Sequence, residues 1–194
     1  MAYTLQNFDH LLGTAGFSDQ LLRNHFTLYQ GYVNNTNKLM ETMKALVDAD
    51  KMLTPEFAEL KRRFGWEFNG MRLHELYFGN MVKEGKALDP NSSLAQKLTR
   101  QFQSLERWEK VFKAVGALRG IGWTILTYDP VGKKFFNLWV NEHDVGHLAG
   151  TVPLLIMDVF EHAFMLDYGL KRADYITAFF KAIDWSTVEK RFEV

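Results

Sequence analysis

The stretch "DVFEHAF", residues 158–164, sets Asp158 and His162 four positions apart among the apolar neighbours Val159, Phe160, Ala163 and Phe164. Ionisable groups are costly in such surroundings unless something pairs with them or binds them. On a helix, residues four apart lie one above the other, so this pair would present a carboxylate and an imidazole to one point. "NGMRLHELYF" adds His74, and "LLRNHFTLYQGYVNN" adds His25, with Tyr29 and Tyr32 following on the same helical face. Taken singly, each histidine reads more simply as a structural residue than as a metal ligand. Asp158 and His162 read equally well as a carboxylate steadying an imidazole. Three histidines and one aspartate on separate elements become informative only if the fold brings them together.

The elements that must position these groups follow from the sequence pattern. Ser18 is placed to cap a long helix through "DQLLRNHFTLYQGYVNNTNKLMETMKALV", within which Gly31 suggests close packing or a kink. Thr54 and Pro55 open a second helix through "FAELKRRFGWEFNGMRLHELYFGNM", and Gly65 and Gly70 suggest two segments. "EGKALDPNSS" is a linker. After it, Ser92 or Ser93 caps a third helix through "LAQKLTRQFQSLERWEKVFKAVGAL". "GWTILTYDP" and "KKFFNLWVN", joined by "DPVGKK", predict an antiparallel hairpin. "GTVPLLIM" predicts a third strand leading into "DVFEHAFMLDYG" as a helix, and two further helices close the chain. The expected fold class is α+β: a helical hairpin domain over 1–90, then an α/β domain over 91–194 with a three-stranded antiparallel sheet flanked by helices.

Composition narrows the function classes. The 194 residues hold 23 Lys plus Arg against 23 Asp plus Glu, so no basic footprint for nucleic acid or a membrane surface is present. Without cysteine, disulfides, thiolate metal sites and cysteine nucleophiles are excluded, and any metal must be held by His, Asp, Glu or backbone. No apolar run is long enough to span a bilayer, and "MAYTLQNFDHLL" does not read as a signal peptide, so the cytoplasm is the expected location. The 16 Phe, 7 Tyr and 5 Trp favour a dense core or a subunit interface.

The segment "DVFEHAFMLDYGLKRADYITAFFKAIDW" resembles the C-terminal signature of the iron/manganese superoxide dismutase family, Asp-x-Trp-Glu-His-Ala followed by Arg-x-Asp-Tyr. "YQGYVNN", "FNG…H" and "GIGWTIL" resemble, in order, its first-helix, second-helix and first-strand motifs. The resemblance implies the same hairpin-plus-sheet fold. It also implies one iron or manganese ion per subunit, held by three histidines and one aspartate between the two halves, and the disproportionation of superoxide. Carried over, His74, Asp158 and His162 are ligands.

The first ligand needs an argument, because counting back from Tyr32 without a gap lands on Asn24. An amide is a poor substitute for imidazole on a transition metal. Seven steps of about 100° return a side chain close to its starting direction, whereas eight leave it about 80° away. A regular helix therefore aims His25 with Tyr32, and His25 is the expected ligand. The family's longer spacing would need a local bulge that this chain lacks.

Further roles follow from the same resemblance. The family hydrogen-bonds the metal-bound solvent through a second residue. Gly70 stands where some iron enzymes place a glutamine, so the loop "NEHD" is the expected source. His143 is preferred there over Glu142, because a neutral imidazole can donate a hydrogen bond and a carboxylate only accepts. Tyr32 resembles the gateway tyrosine, Trp123 and Phe78 resemble walls of the pocket, and Arg172 resembles an arginine of the substrate funnel. Glu161 resembles the glutamate that reaches the metal-ligating histidine across a two-fold interface, which implies a homodimer or a dimer of dimers. Phe160 replaces the motif tryptophan. Met165 replaces a tyrosine whose histidine partner across the interface falls on Leu28 or Tyr29, so both halves of that pair are changed. Two other readings stand beside the dismutase: a mononuclear non-haem iron oxygenase using two of the histidines and a carboxylate, and a metal-poor dimeric family member without catalysis.

Overall fold

The computed structural model describes residues 2–193. Two long helices come first, α1 (Asp19–Asp48) and α2 (Pro55–Gly79). Each begins at a side-chain cap: Ser18 Oγ accepts from the Leu21 amide, and Thr54 Oγ1 from the Phe57 amide. α1 carries its buried stripe through Leu21, Leu22, His25, Tyr29, Val33 and Thr36. It is a regular α-helix across that stretch, with neither a bulge nor a break at Gly31.

α2 is one helix, not the two segments its glycines suggest. Gly70 does not break it because its missing side chain is where α1 packs. A Cβ there would lie 2.5 Å from Cδ1 of Tyr32. The third predicted helix is instead a pair, α3 (Ser93–Phe102) and α4 (Leu105–Gly116). Gln103 between them takes a left-handed φ of 75°, and Ser104 caps the new helix by accepting from the Arg107 amide.

The sheet has strands β1 (Gly122–Asp129), β2 (Lys134–Asn141) and β3 (Val152–Asp158), all antiparallel, in the order β2-β1-β3. Trp123 pairs with Val140 on one side and Asp158 on the other, which puts the start of β1 beside the end of β3. After β3 the chain forms a single 3₁₀ turn (Glu161–Ala163) and a four-residue helix α5 (Met165–Tyr168). This corrects the helix expected from residue 158 onward: Asp158 is the last strand residue, and only residues beyond it turn. Helices α6 (Arg172–Lys181) and α7 (Trp185–Phe192) close the fold. Among the described residues no helix is long and apolar enough to cross a membrane.

β3 lies at the sheet edge, yet its backbone groups are not left open. The buried Asn80 side chain accepts from the Ile156 amide at 2.9 Å and donates to the Ile156 carbonyl at 3.2 Å, standing in for a fourth strand. Arg191 on α7 donates to the Leu154 carbonyl at 2.8 Å, to Asn80 Oδ1 at 3.2 Å and to the Leu76 carbonyl near the end of α2 at 2.9 Å. A cation at a helix C-terminus is favourable, and this one ties α2, β3 and α7 together at Leu154, four residues before Asp158. Replacing Asn80 by Ala would leave the Ile156 amide and carbonyl buried without partners. The expected cost is about 3 kcal/mol, or a fall in Tm of about 6–12 °C for a domain of this size. Thermal unfolding by circular dichroism measures it.

Candidate metal centre

His25 comes from α1, His74 from α2, Asp158 from the end of β3 and His162 from the turn after it. One ligand atom from each lies within 4.8 Å of all the others. The Nε2 atoms of His25 and His162 are each 3.1 Å from Asp158 Oδ2, and that of His74 is 3.8 Å from the same oxygen. Asp158 and His162 thus meet as expected, but across a strand end and a 3₁₀ turn.

Each group is oriented by its other atoms. Asp158 Oδ1 accepts from the Phe160 amide at 2.8 Å, which closes the turn and leaves Oδ2 for the imidazoles. The Asp158 carbonyl accepts from the Tyr175 hydroxyl at 2.6 Å. His74 Nδ1 donates to the Gly70 carbonyl at 2.5 Å, so its Nε2 carries the bare lone pair. That Nε2 is buried and has no hydrogen-bond partner. Buried polar atoms are seldom orphaned. A lone pair aimed at a carboxylate and two other imidazoles fits a cation, and the donor set of three nitrogens and one oxygen suits iron or manganese.

Electrostatics prepare the same state. Burial holds the His25 imidazole below its ordinary pKa and that of His74 well below it. Burial alone would push Asp158 up, but the His162 and His25 imidazoles facing it outweigh burial and hold its carboxyl well below the usual carboxylate range. His25 and His74 therefore offer neutral nitrogens and Asp158 an ionised oxygen, the forms that bind a metal ion.

Around the cluster, His143 is fully buried. Its Nδ1 accepts from the Trp123 indole at 3.0 Å, and its Nε2 lies 2.8 Å from the Tyr32 hydroxyl. Because indole only donates, Nδ1 must be the acceptor and Nε2 carries the proton of the neutral ring. Burial lowers the His143 pKa to about 4 and raises that of Tyr32 to about 12. The Tyr32 ring stacks on His74 at 5.2 Å, and Phe160 stacks on both His143 (4.9 Å) and His162 (5.1 Å). Phe78 meets His25 at 4.8 Å and Trp123 meets His74 at 5.0 Å, so both are walls of the cluster.

Two expected residues are not brought into this group. Arg172 donates to the Leu118 and Gly120 carbonyls at 2.7 and 2.9 Å and covers the Phe164 ring. Glu161 is exposed on the 3₁₀ turn, beside His162, Leu28, Met165 and Leu166. Asn24 faces solvent and accepts from Gln20. Tyr175 and Asn80 were not anticipated as positioning residues. The Asp-Tyr of the C-terminal motif pointed towards the first, and no local signal marks the second.

Two outcomes follow from this geometry. His25→Ala should abolish stoichiometric metal binding, while Asn24→Ala should retain about one ion per chain, as elemental analysis would show. In the unfolded chain histidines titrate near 6.5. His143 instead titrates at about 4, so below 6.5 the unfolded state binds more protons than the folded one. The stability of the metal-free chain should therefore fall as pH drops from about 6.5 towards 4. His25 and His74, also held low, add to the same fall, so His143→Gln should lessen it, measured as Tm against pH.

Comparison with known proteins agrees with the geometry. Residues 90–191 match the family described as iron/manganese superoxide dismutases, C-terminal domain. The chain is 36% identical over 177 residues to superoxide dismutase [Mn] 2 of Haloferax volcanii, covering 91% of this chain and 87% of that protein. It is 34% identical over 198 residues to superoxide dismutase [Fe] of Aquifex aeolicus, covering 98% and 92%. Against superoxide dismutase [Fe] of Cupriavidus metallidurans it is 36% identical over 182 residues, covering 91% and 89%. Similarity running almost end to end, on a chain whose buried histidines and aspartate converge, leads to one conclusion: this protein belongs to the iron/manganese superoxide dismutase family.

Proposed function

We propose that the protein is a superoxide dismutase, converting two superoxide anions and two protons into dioxygen and hydrogen peroxide. The observation that carries this reading is the buried, unpartnered Nε2 of His74 facing Asp158, His25 and His162. One iron or manganese ion held by these four residues would supply the redox chemistry by cycling between its divalent and trivalent states. An oxygenase site with two histidines and one carboxylate is less well supported, since three imidazoles share the carboxylate oxygen. A structural dimer without metal would leave the His74 nitrogen buried and unpaired.

The chain's own residues then handle approach and protons. Tyr32, only partly buried, stands between the His143 ring and the outside. The proton on His143 Nε2 is directed at the Tyr32 oxygen. The Tyr32 hydroxyl proton is thereby left for an incoming anion or a water. With its pKa raised to about 12 by burial, Tyr32 stays protonated and adds no negative charge that would repel superoxide. His143, lowered to about 4, stays neutral and works as a hydrogen-bond donor rather than a cation. Trp123 fixes that tautomer.

We also assign the exposed face around Glu161 to a two-fold interface. His162 retains 25% side-chain exposure although it belongs to the cluster, and Leu28, Met165 and Leu166 beside it are 41%, 47% and 58% exposed. A second copy would cover these groups, and its Glu161 would reach the outer nitrogen of this His162 and fix its orientation. Arg172 is read as a structural arginine of the same region.

Purified chain reconstituted separately with iron and with manganese should bind about one ion per chain, and at least one form should consume superoxide. Failure of both loaded forms would sink the proposal. Glu161→Gln should raise the dimer dissociation constant at least tenfold by analytical ultracentrifugation.

A further inference from the structure

His143 is aimed by its neighbours, and one of its supports is unusual. The residue before it, Glu142, has a left-handed φ of 49°. Residues with a side chain seldom adopt that conformation, and where one persists the surroundings must hold it. Here the loop is closed by the Asn141–Val145 bridge. The Glu142 carboxylate accepts from the Trp66 indole at 2.8 Å. The same indole meets the His143 ring edge-on at 4.6 Å and lies 5.5 Å from the Tyr32 ring. Trp66 therefore grips the strained residue and touches both members of the hydrogen-bonded pair.

Trp66 is itself held. The Arg63 guanidinium covers its ring at 3.8 Å. Arg63 donates through Nε to Glu67 Oε1 at 3.0 Å, and Glu67, 4% exposed, also accepts from Asn35 on α1 at 3.3 Å. A continuous set of contacts runs from α1 through one turn of α2 to the loop after β2. It joins the helical hairpin to the sheet at the point where the imidazole must face the tyrosine.

We propose that Trp66 and Glu142 form a latch that positions His143 against Tyr32, making both of them positioning residues for the reaction. The proposal rests on the dismutase reading and on the role given to His143 there. The latch acts by orientation, so its loss changes turnover more than metal content or substrate affinity.

The test uses full-length chain with Trp66→Phe, Glu142→Ala, Glu142→Gln and the Trp66→Phe/Glu142→Ala double variant. Metal content is measured first, then kcat and KM for superoxide by pulse radiolysis on the loaded protein. Trp66→Phe and Glu142→Ala should each lower kcat about tenfold, with KM and metal content near the parent values. The double variant should be no worse than either single one, because both break the same contact. Glu142→Gln keeps an oxygen acceptor and should recover most of the loss. In metal-free, nitrogen-15-labelled chain, Glu142→Ala should shift the indole N–H signal of Trp123, which reports the His143 ring directly. An unmoved Trp123 signal, or additive losses in the double variant, would overturn the latch. A moved signal with unchanged kcat would uphold the positioning and remove the catalytic role of His143. If Trp66→Phe loses metal, the exposed Glu142 variants decide.

Discussion

Three imidazole nitrogens meet one carboxylate oxygen, Oδ2 of Asp158, inside an apolar core, and the rest of the structure is arranged around that meeting. Without a cation it is an unfavourable arrangement: a buried carboxylate and the unpartnered His74 nitrogen face each other, and burial has removed the water that would separate them. Such a cluster persists only where other contacts over-determine each side chain. Asp158 is held by the Phe160 amide, by the Tyr175 hydroxyl on its carbonyl and by strand pairing to Trp123. His74 is held by the Gly70 carbonyl, and β3 as a whole by the Asn80 and Arg191 brace. The architecture can be read as a frame that keeps four ligands from relaxing apart.

Much of this was legible in the sequence, and what was not shares one property. Caps at Ser18 and Thr54, the hairpin after Gly122 and the third strand are local signals, readable from neighbouring residues. The helix phase of His25 was readable because α1 is regular. The divided helix at Gln103 was missed because the break is one left-handed residue long, followed at once by the Ser104 cap of α4. The helix expected at Asp158 was wrong because four-residue spacing does not distinguish a helical turn from a strand end followed by a 3₁₀ turn. Both can bring positions i and i+4 together. Asn80 to Ile156 spans 76 residues and Trp66 to Glu142 spans another 76, so no periodicity could have announced either.

Glycine shows how the same residue reads differently in isolation and in place. Gly70 looked like an interruption, yet it lies in mid-helix, where the Tyr32 ring occupies the space a side chain would need. Its carbonyl accepts from His74 Nδ1. One residue thus sets the approach of α1 to α2, the position of the tyrosine and the free nitrogen of a ligand. Gly122, at a φ of 146°, allows the Val140 carbonyl to come where a Cβ would be only 2.0 Å away, and its own carbonyl accepts from Val159, just past Asp158. Both tighten the cluster by removing side chains.

The regular first helix has a consequence of its own. With His25 seven residues before Tyr32, the position one turn after His25 is Tyr29, which falls in the same buried stripe and is 1% exposed. A buried hydroxyl needs a partner. Tyr29 donates to Glu75 at 2.9 Å, and Glu75, the residue after His74, is in turn neutralised by Arg72 at 2.5 Å. The outward position beside it is then Leu28, which with Met165 makes the exposed face apolar where the family resemblance leads one to expect a tyrosine–histidine pair. Losing both polar members together is physically coherent, because one survivor would be buried without a partner in a dimer. The inner hydrogen-bond pair and the outer apolar face are therefore two results of one helical register, and that register also brings His25 to the cluster.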